Sequence, residues 1–273
     1  MTSSYSERSG RGSSTPVDAR DDVALEVLID TLEYSRARDY TGPDYCDGMS
    51  SRLLRAVPVD NRWVNLAVQE AIKRAPLNLR PLFLVEQRRN FMGAGLFAMA
   101  NLTLDRIGAD GRGNDSNDVD YGAEATELLD WLVQHRGRGY SGVCGSHQHE
   151  IQLLDHTGVP TNPSVVSTAF PVRAFLAAAD RDPVYPAVAR TSADFVVEDL
   201  EYRAAKPDGA VISYLPTDSG EYVTPNAVAL GAGLFVDLYE HTGDEALAER
   251  ATRLLDYLAE HQKPGGGWTY RIP

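Results

Sequence analysis

Between Gly139 and Pro163 the chain reads GYSGVCGSHQHEIQLLDHTGVPTNP, one stretch holding a thiol, three imidazoles, two carboxylates, three amides and a tyrosine. Connections longer than about 12–15 residues inside a compact domain are functional or disordered, and this one carries too many specific polar groups for a slack linker. Its spacing allows two kinds of chemistry. Cys144-x2-His147-x-His149 has the residue types of a zinc site, for which Glu150, Asp155 or Cys46 would have to supply the fourth ligand. A close Cys-x-x-Cys pair is missing, so the favoured reading is a polar lining whose imidazoles meet backbone or substrate hydroxyls. No cofactor is expected, with zinc on Cys144, His147 and His149 as the weaker alternative. The second kind is acid–base work. Glu150 and Asp155, or another two among these and Asp44, Asp47, Asp218 and Glu221 on the other loops, could form the protonated and ionised carboxylates of glycoside hydrolysis, and His147 or His149 could abstract a proton next to a carbonyl.

Other loops add groups of the same character. Carboxylates recur at Asp44, Asp47, Asp218 and Glu221, and aromatic rings at Tyr40, Tyr45, Tyr140, Tyr214, Tyr222, Trp268 and Tyr270. Rings of this kind stack on sugar faces while tyrosine hydroxyls supply hydrogen bonds. For Tyr40 and Tyr140, however, closing the preceding helix is the favoured role. Arg80 and Arg173 could bind a carboxylate or phosphate; Arg173 lies on an otherwise apolar helix and must find a partner. The substrate-binding set expected from these loops is Tyr45, Asp47, Arg80, Tyr140, Gln152, Asn162, Tyr214, Asn226 and Trp268. A P-loop, a dinucleotide fingerprint, a Gly-x-Ser-x-Gly elbow and His-Glu-x-x-His are all missing from the sequence.

The elements that position these groups are helical. Apolar spacing gives helices over 21–38, 62–75, 91–107 and 121–135, then over the stretches opened by Asn162-Pro163, Asp182-Pro183 and Thr224-Pro225, and finally over 245–262. Pro81 should keep 77–90 extended, and Ile212–Pro216 is the one candidate for a short strand. Leu28–Gly42 aligns without gaps on Leu128–Gly142, and Asp-aromatic-aliphatic recurs at Asp130, Asp194 and Asp256. Two helix types alternate: amphipathic ones that precede long loops, and Gly/Ala-rich apolar ones that follow them. The arrangement that satisfies this is a ring of hairpins, with apolar helices inside and long loops on one rim.

Composition narrows the partners. The net charge is −13, with three lysines against 23 arginines and 24 aspartates against 15 glutamates. An acidic surface argues against nucleic acid or anionic lipid, and the lysine-poor, aspartate-rich balance matches salt-loving archaea. No apolar run reaches the ~18–20 residues of a membrane span. Residues 1–20 read as a disordered polar leader without a secretory core, so a cytoplasmic location is expected.

The helical pattern resembles the (α/α) toroid proteins: six-hairpin glycosidases, polysaccharide lyases, sugar 2-epimerases and terpene cyclases. The tail Tyr257-Leu258-x3-Gln262-x3-Gly266-x-Trp268 is similar to the QW signature of terpene cyclases, which caps a helix end on the outer wall. Asn78-Leu79-Arg80-Pro81, Tyr140-Ser141-Gly142-x-Cys144 and Val165-Val166-Ser167-Thr168 resemble a haloarchaeal-type family of cytoplasmic toroids encoded among surface-polysaccharide and glycosylation genes. The resemblance implies an all-α, (α/α) toroid over residues 21–273. About seven or eight of the roughly twelve helices that six hairpins require are found, so an incomplete ring, cut short at the C-terminus, is expected. It also implies a carbohydrate or lipid-linked sugar as partner, handled by a hydrolase, lyase or epimerase. The alternatives are a non-catalytic assembly protein of a glycan pathway and a terpene-cyclase-like or prenyltransferase-like toroid, the last opposed by the lack of a DxDD-type acid motif.

Overall fold

The computed structural model describes residues 18–44, 47–57, 61–108, 119–152, 157–158, 161–218 and 220–273. Tyr45, Cys46 and Asp155, and the leader as far as residue 17, lie outside the described residues. The described chain is a succession of helices: α1 (Asp18–Arg36), α2 (Arg52–Ala56), α3 (Arg62–Arg74), α4 (Phe91–Arg106), α5 (Tyr121–His135) and α6 (Val165–Ala177). One winding stretch then comprises α7 (Val184–Arg190), α8 (Ser192–Asp194) and a π-turn (Phe195–Asp199), before α9 (Pro225–Thr242) and α10 (Glu245–Glu260). Strands are two or three residues long. β1 (Gly145–Ser146) pairs with β4 (Pro163–Ser164), β2 (Ile151–Gln152) with β3 (Thr157–Gly158), and β5 (Arg203–Ala205) with β6 (Gly209–Val211), all antiparallel. The short strand expected at Ile212–Pro216 therefore sits just upstream, ending at Val211.

Side-chain caps set where the helices begin. Asn90 Oδ1 accepts the Gly93 amide at the start of α4, Asp120 that of Ala123 at α5, and Asp244 that of Ala246 at α10. Thr224-Pro225 opens α9 as expected, with Pro at the first helical position, and Gly243 ends it in the left-handed conformation at φ 70°. The Asn162-Pro163 start is corrected by the structure. Pro163 and Ser164 pair with Ser146 and Gly145, so the chain is still extended there. Ser164, whose hydroxyl accepts the Ser167 amide, is the true cap of α6. The Asn162 amide group instead donates to Thr217 Oγ1 at 2.7 Å.

Inner and outer helices separate as their composition requires. α4, α6 and α9 pack side by side, α5 lies against α4, α7 against α6, α10 against α9, and α1 against α4. These hairpins form an arc of an (α/α) toroid. Small residues let the inner helices approach: a Cβ on Gly95 of α4 would lie 2.8 Å from the backbone of Pro171 in α6. Between the layers Phe91, Tyr121, Phe175, Tyr185, Phe195 and Phe235 are fully buried, each contributing roughly 1.5–3 kcal/mol of apolar burial. Arg173 finds its partner across the inner wall, where Nε meets Asp237 Oδ2 on α9 at 2.6 Å. Among the described residues no helix is long and apolar enough to cross a membrane.

The repeat also has a spatial meaning. α1 and α5 are both outer helices, and each is followed by a tyrosine that turns the chain toward the rim. Tyr40, at φ 51°, donates its hydroxyl to Glu124 Oε2 at 2.7 Å. Tyr140 donates to the Thr161 carbonyl at 3.2 Å. The long loops after α1, α5 and the π-turn accordingly lead to the N-terminal ends of the inner helices.

Candidate functional site

At the rim, a cleft of about 250 Å³ opens between the end of α1, the 38–44 loop, the start of α4 and residues 148–149. Its polar lining includes Arg38, Asp44, Arg88, Asn90, Gln148 and His149, and its apolar lining includes Tyr34, Tyr40 and Phe97. The volume is just below the ~300 Å³ at which pockets for drug-sized ligands begin. It suits one sugar ring better than an extended chain.

Asp44 is held from three sides. Its amide donates to Asp47 Oδ2 at 3.1 Å, and its carbonyl accepts Arg80 Nη2 at 3.0 Å. Arg80 Nε closes the triangle by donating to the same Asp47 oxygen at 2.7 Å. The Asp44 carboxylate itself accepts Asn90 Nδ2 at 3.1 Å, and Asn90 is in turn fixed by capping α4. Asp47 is 1% exposed and sits behind the cleft wall with Arg80, so these two position Asp44 rather than line the cavity.

The same lining holds His149, 3% exposed, whose Nδ1 is buried with no hydrogen-bond partner among the described residues. Burial pushes its pKa below the usual 6.5; the Asp44 and Asp47 carboxylates oppose that shift, while Arg88 and Arg55 add to it. The imidazole is therefore a neutral group at pH 7. Arg88 has both ends of its guanidinium occupied, donating to the Gln148 carbonyl at 2.5 Å and to Glu86 Oε2 at 2.6 Å. That second bond is the main cause holding the Glu86 carboxyl below its ordinary range. Tyr40, on the apolar wall, is pushed up to about 12 by burial and by its bond to Glu124, so it stays a phenol.

The other residues singled out from sequence are spread more widely. Glu150 and His147 are partly exposed neighbours of His149 and do not line the cleft. Gln152 is buried against α3: its Oε1 accepts Asn65 Nδ2 and Thr157 Oγ1, and its amide donates to Gln69 Oε1. Cys144 is fully buried, and burial, reinforced by the Asp199 carboxylate, pushes its thiol up to about 12. Among the described residues no three of His, Cys, Asp and Glu stand together as a metal site. Asn162, Tyr214 and Asn226 belong to the far half of the rim: Tyr214 is half-buried with Asp218 bonded to its amide, and Asn226 is exposed on the first turn of α9. The Trp268 indole donates to the Leu258 carbonyl at 2.7 Å, closing the end of α10.

A second hollow, of about 420 Å³, lies beside the end of α5 among Arg136, Gly139, Tyr140 and Thr191. It is larger, but it gathers no carboxylate or imidazole. Arg38, Arg88 and Asn90 escaped the sequence reading. Asn90 carried a usable signal, since it directly precedes an almost uncharged helix, the place of a cap.

No protein-family model and no curated protein matches the chain. Among solved structures it is similar to a GH76 α-mannanase of Bacteroides thetaiotaomicron, at 15% identity over 64% of this chain and 45% of that one, with a TM-score of 0.42. It is also similar to a D-mannose isomerase, at 12% identity over 67% and 44%, with a TM-score of 0.48. A third is the unsaturated glucuronyl hydrolase of Bacillus sp. GL1, at 13% identity over 90% and 69%, with a TM-score of 0.47. The chain spans less than half the length of the first two. None of these scores reaches 0.5, so what the cleft does rests on its own residues.

Proposed function

We propose that the cleft binds a single sugar unit, free or lipid-linked, in the making or processing of a surface glycan, and that His149 exchanges a proton with it. The observation that carries this reading is the buried, neutral imidazole of His149 in the lining of the same cavity as Asp44. A neutral imidazole accepts a proton from a carbon or hydroxyl next to a carbonyl, as an epimerase or lyase requires. Asp44, pinned through its backbone by Asp47 and Arg80, offers a carboxylate oxygen to sugar hydroxyls, and the tyrosine rings at 34 and 40 supply apolar faces. The glycan context comes from the family resemblance of the Asn78–Pro81 and Tyr140–Cys144 motifs.

A binding role without turnover is the second reading. It is favoured by Arg88, whose guanidinium is already engaged within the protein. His149→Gln separates the two. Positioned proton transfer is worth about 10²–10⁴-fold in rate, so an enzyme should lose at least a hundredfold in kcat while sugar binding, read by saturation-transfer NMR, persists. Binding of a sugar that no preparation turns over identifies a binding protein. Absence of binding to any monosaccharide would sink both readings.

A further inference from the structure

The segment from residue 36 to residue 90, which supplies much of the cleft lining, is richer in cations than the chain as a whole. Between residues 36 and 90 there are ten lysines and arginines against six aspartates and glutamates, a balance of +4 in a chain whose total is −13. Most of these cations are spent within the protein: Arg80 on Asp47, Arg88 on Glu86, Arg89 on Asp39, Arg74 on Glu70. Arg38 is not. Its Nη1 donates to the Tyr34 carbonyl of its own turn at 2.9 Å, and the guanidinium lies over the Tyr34 ring at 3.5 Å. Its Nε and Nη2 have no protein partner among the described residues, and it lines the cleft. Stacking on the ring restricts the arginine, so less freedom is lost when its remaining donors are used. The N-terminal end of α4, which borders the cleft through Asn90 and Gly93, adds positive potential.

One carboxylate, Asp44, faces these groups, and its Oδ2 is already engaged by Asn90. The cleft thus presents an arginine with two open donors on one side. In the same lining are Asp44, an acceptor for hydroxyls, and the His149 imidazole. Resting on the sugar-binding reading above, we infer that the sugar this cleft takes carries an acidic group, a carboxylate or a phosphate ester, and that Arg38 receives it. The open donors of Arg38 and the N-terminal end of α4 give an anion a local partner at the cleft of an otherwise acidic protein.

Calorimetric titration of the full chain tests this, with glucose, mannose, glucuronate, mannuronate, glucose 6-phosphate and mannose 6-phosphate as ligands, at about 0.1 M and about 2 M KCl. An acidic sugar should bind at least about tenfold more tightly than its neutral parent at the lower salt, and the preference should shrink at the higher. Whether the uronate or the phosphate is preferred names the acidic group. Arg38→Met should abolish the preference while leaving the weaker binding of the neutral sugar in place, and Arg38→Lys should restore part of it. Because Arg38 is exposed, both variants should retain the parent's helical circular dichroism. Equal binding of neutral and acidic sugars, or a preference unchanged in Arg38→Met, would overturn the inference and leave the sugar reading standing. Failure of every sugar to bind would overturn the sugar reading itself and this inference with it.

Discussion

Replacing Arg80 by Met should destabilise the protein far more than the loss of an ordinary rim arginine. Asp47 is 1% exposed, and its Oδ2 is held by Arg80 Nε and by the Asp44 amide, while its Oδ1 is buried without a partner among the described residues. Removing the guanidinium leaves a buried carboxylate with one backbone N–H to compensate it. Breaking such a pair from one side costs about 3–5 kcal/mol; the Arg80 side chain is 20% exposed, which admits water and places the loss near the lower end, about 3 kcal/mol. For a chain of this size that corresponds to a fall in Tm of roughly 6–12 °C. Asp47→Asn sheds the charge yet keeps an oxygen for Arg80, so it should cost only about 1 kcal/mol. The double variant should then be more stable than the two single losses predict, by about 1.5 kcal/mol or more, because the uncompensated charge is gone. Urea denaturation of the four proteins measures the cycle. If Arg80→Met melts within about 1 °C of the parent, or if the cycle is additive, Asp44 is not held through this pair and the account of the cleft wall is wrong.

Two further outcomes follow from the packing and from the site. Gly95→Ala should destabilise by about 1–2 kcal/mol, since a helix-propensity gain of about 1 kcal/mol is outweighed by a Cβ placed 2.8 Å from the Pro171 backbone. Gly93→Ala, whose nearest new contact is 3.5 Å from Asn90 Cβ, should be neutral or mildly stabilising, and thermal melts of the pair compare them. For His149, the native pKa lies below 6.5 because burial disfavours the cation. Its contribution is therefore intact above pH 6.5 and is lost as pH falls from there through the lowered native value, at up to about 1.4 kcal/mol per pH unit. Denaturant titrations between pH 7 and 4.5 should show that loss in the parent and a shallower slope in His149→Gln.

Local patterns in the sequence determined the elements. Tyr121–His135 emerges as a helix with its expected bounds because an acidic N-cap and a regular apolar stripe are both written locally. α9 begins at Thr224-Pro225 for the same kind of reason. The division into apolar inner and amphipathic outer helices was equally legible, and so was the need of Arg173 for a partner, since an arginine on a buried face is costly unless paired. What no local pattern contains is which loops meet. Asp44 and Asn90 are 46 residues apart, and Arg88 meets Gln148 across 60, so the cleft exists only once α1, α4 and the loop after α5 are packed together. The same packing removes Gln152 into a hydrogen-bonded seam with α3 and seals Cys144, although both sit in a stretch that reads as exposed and polar. Of His147, His149 and Glu150 it leaves only His149 on the cavity wall, buried and neutral. Residue type and spacing placed polar groups throughout that loop; which of them are sealed in the core and which line the cleft is decided only by the packing of distant segments.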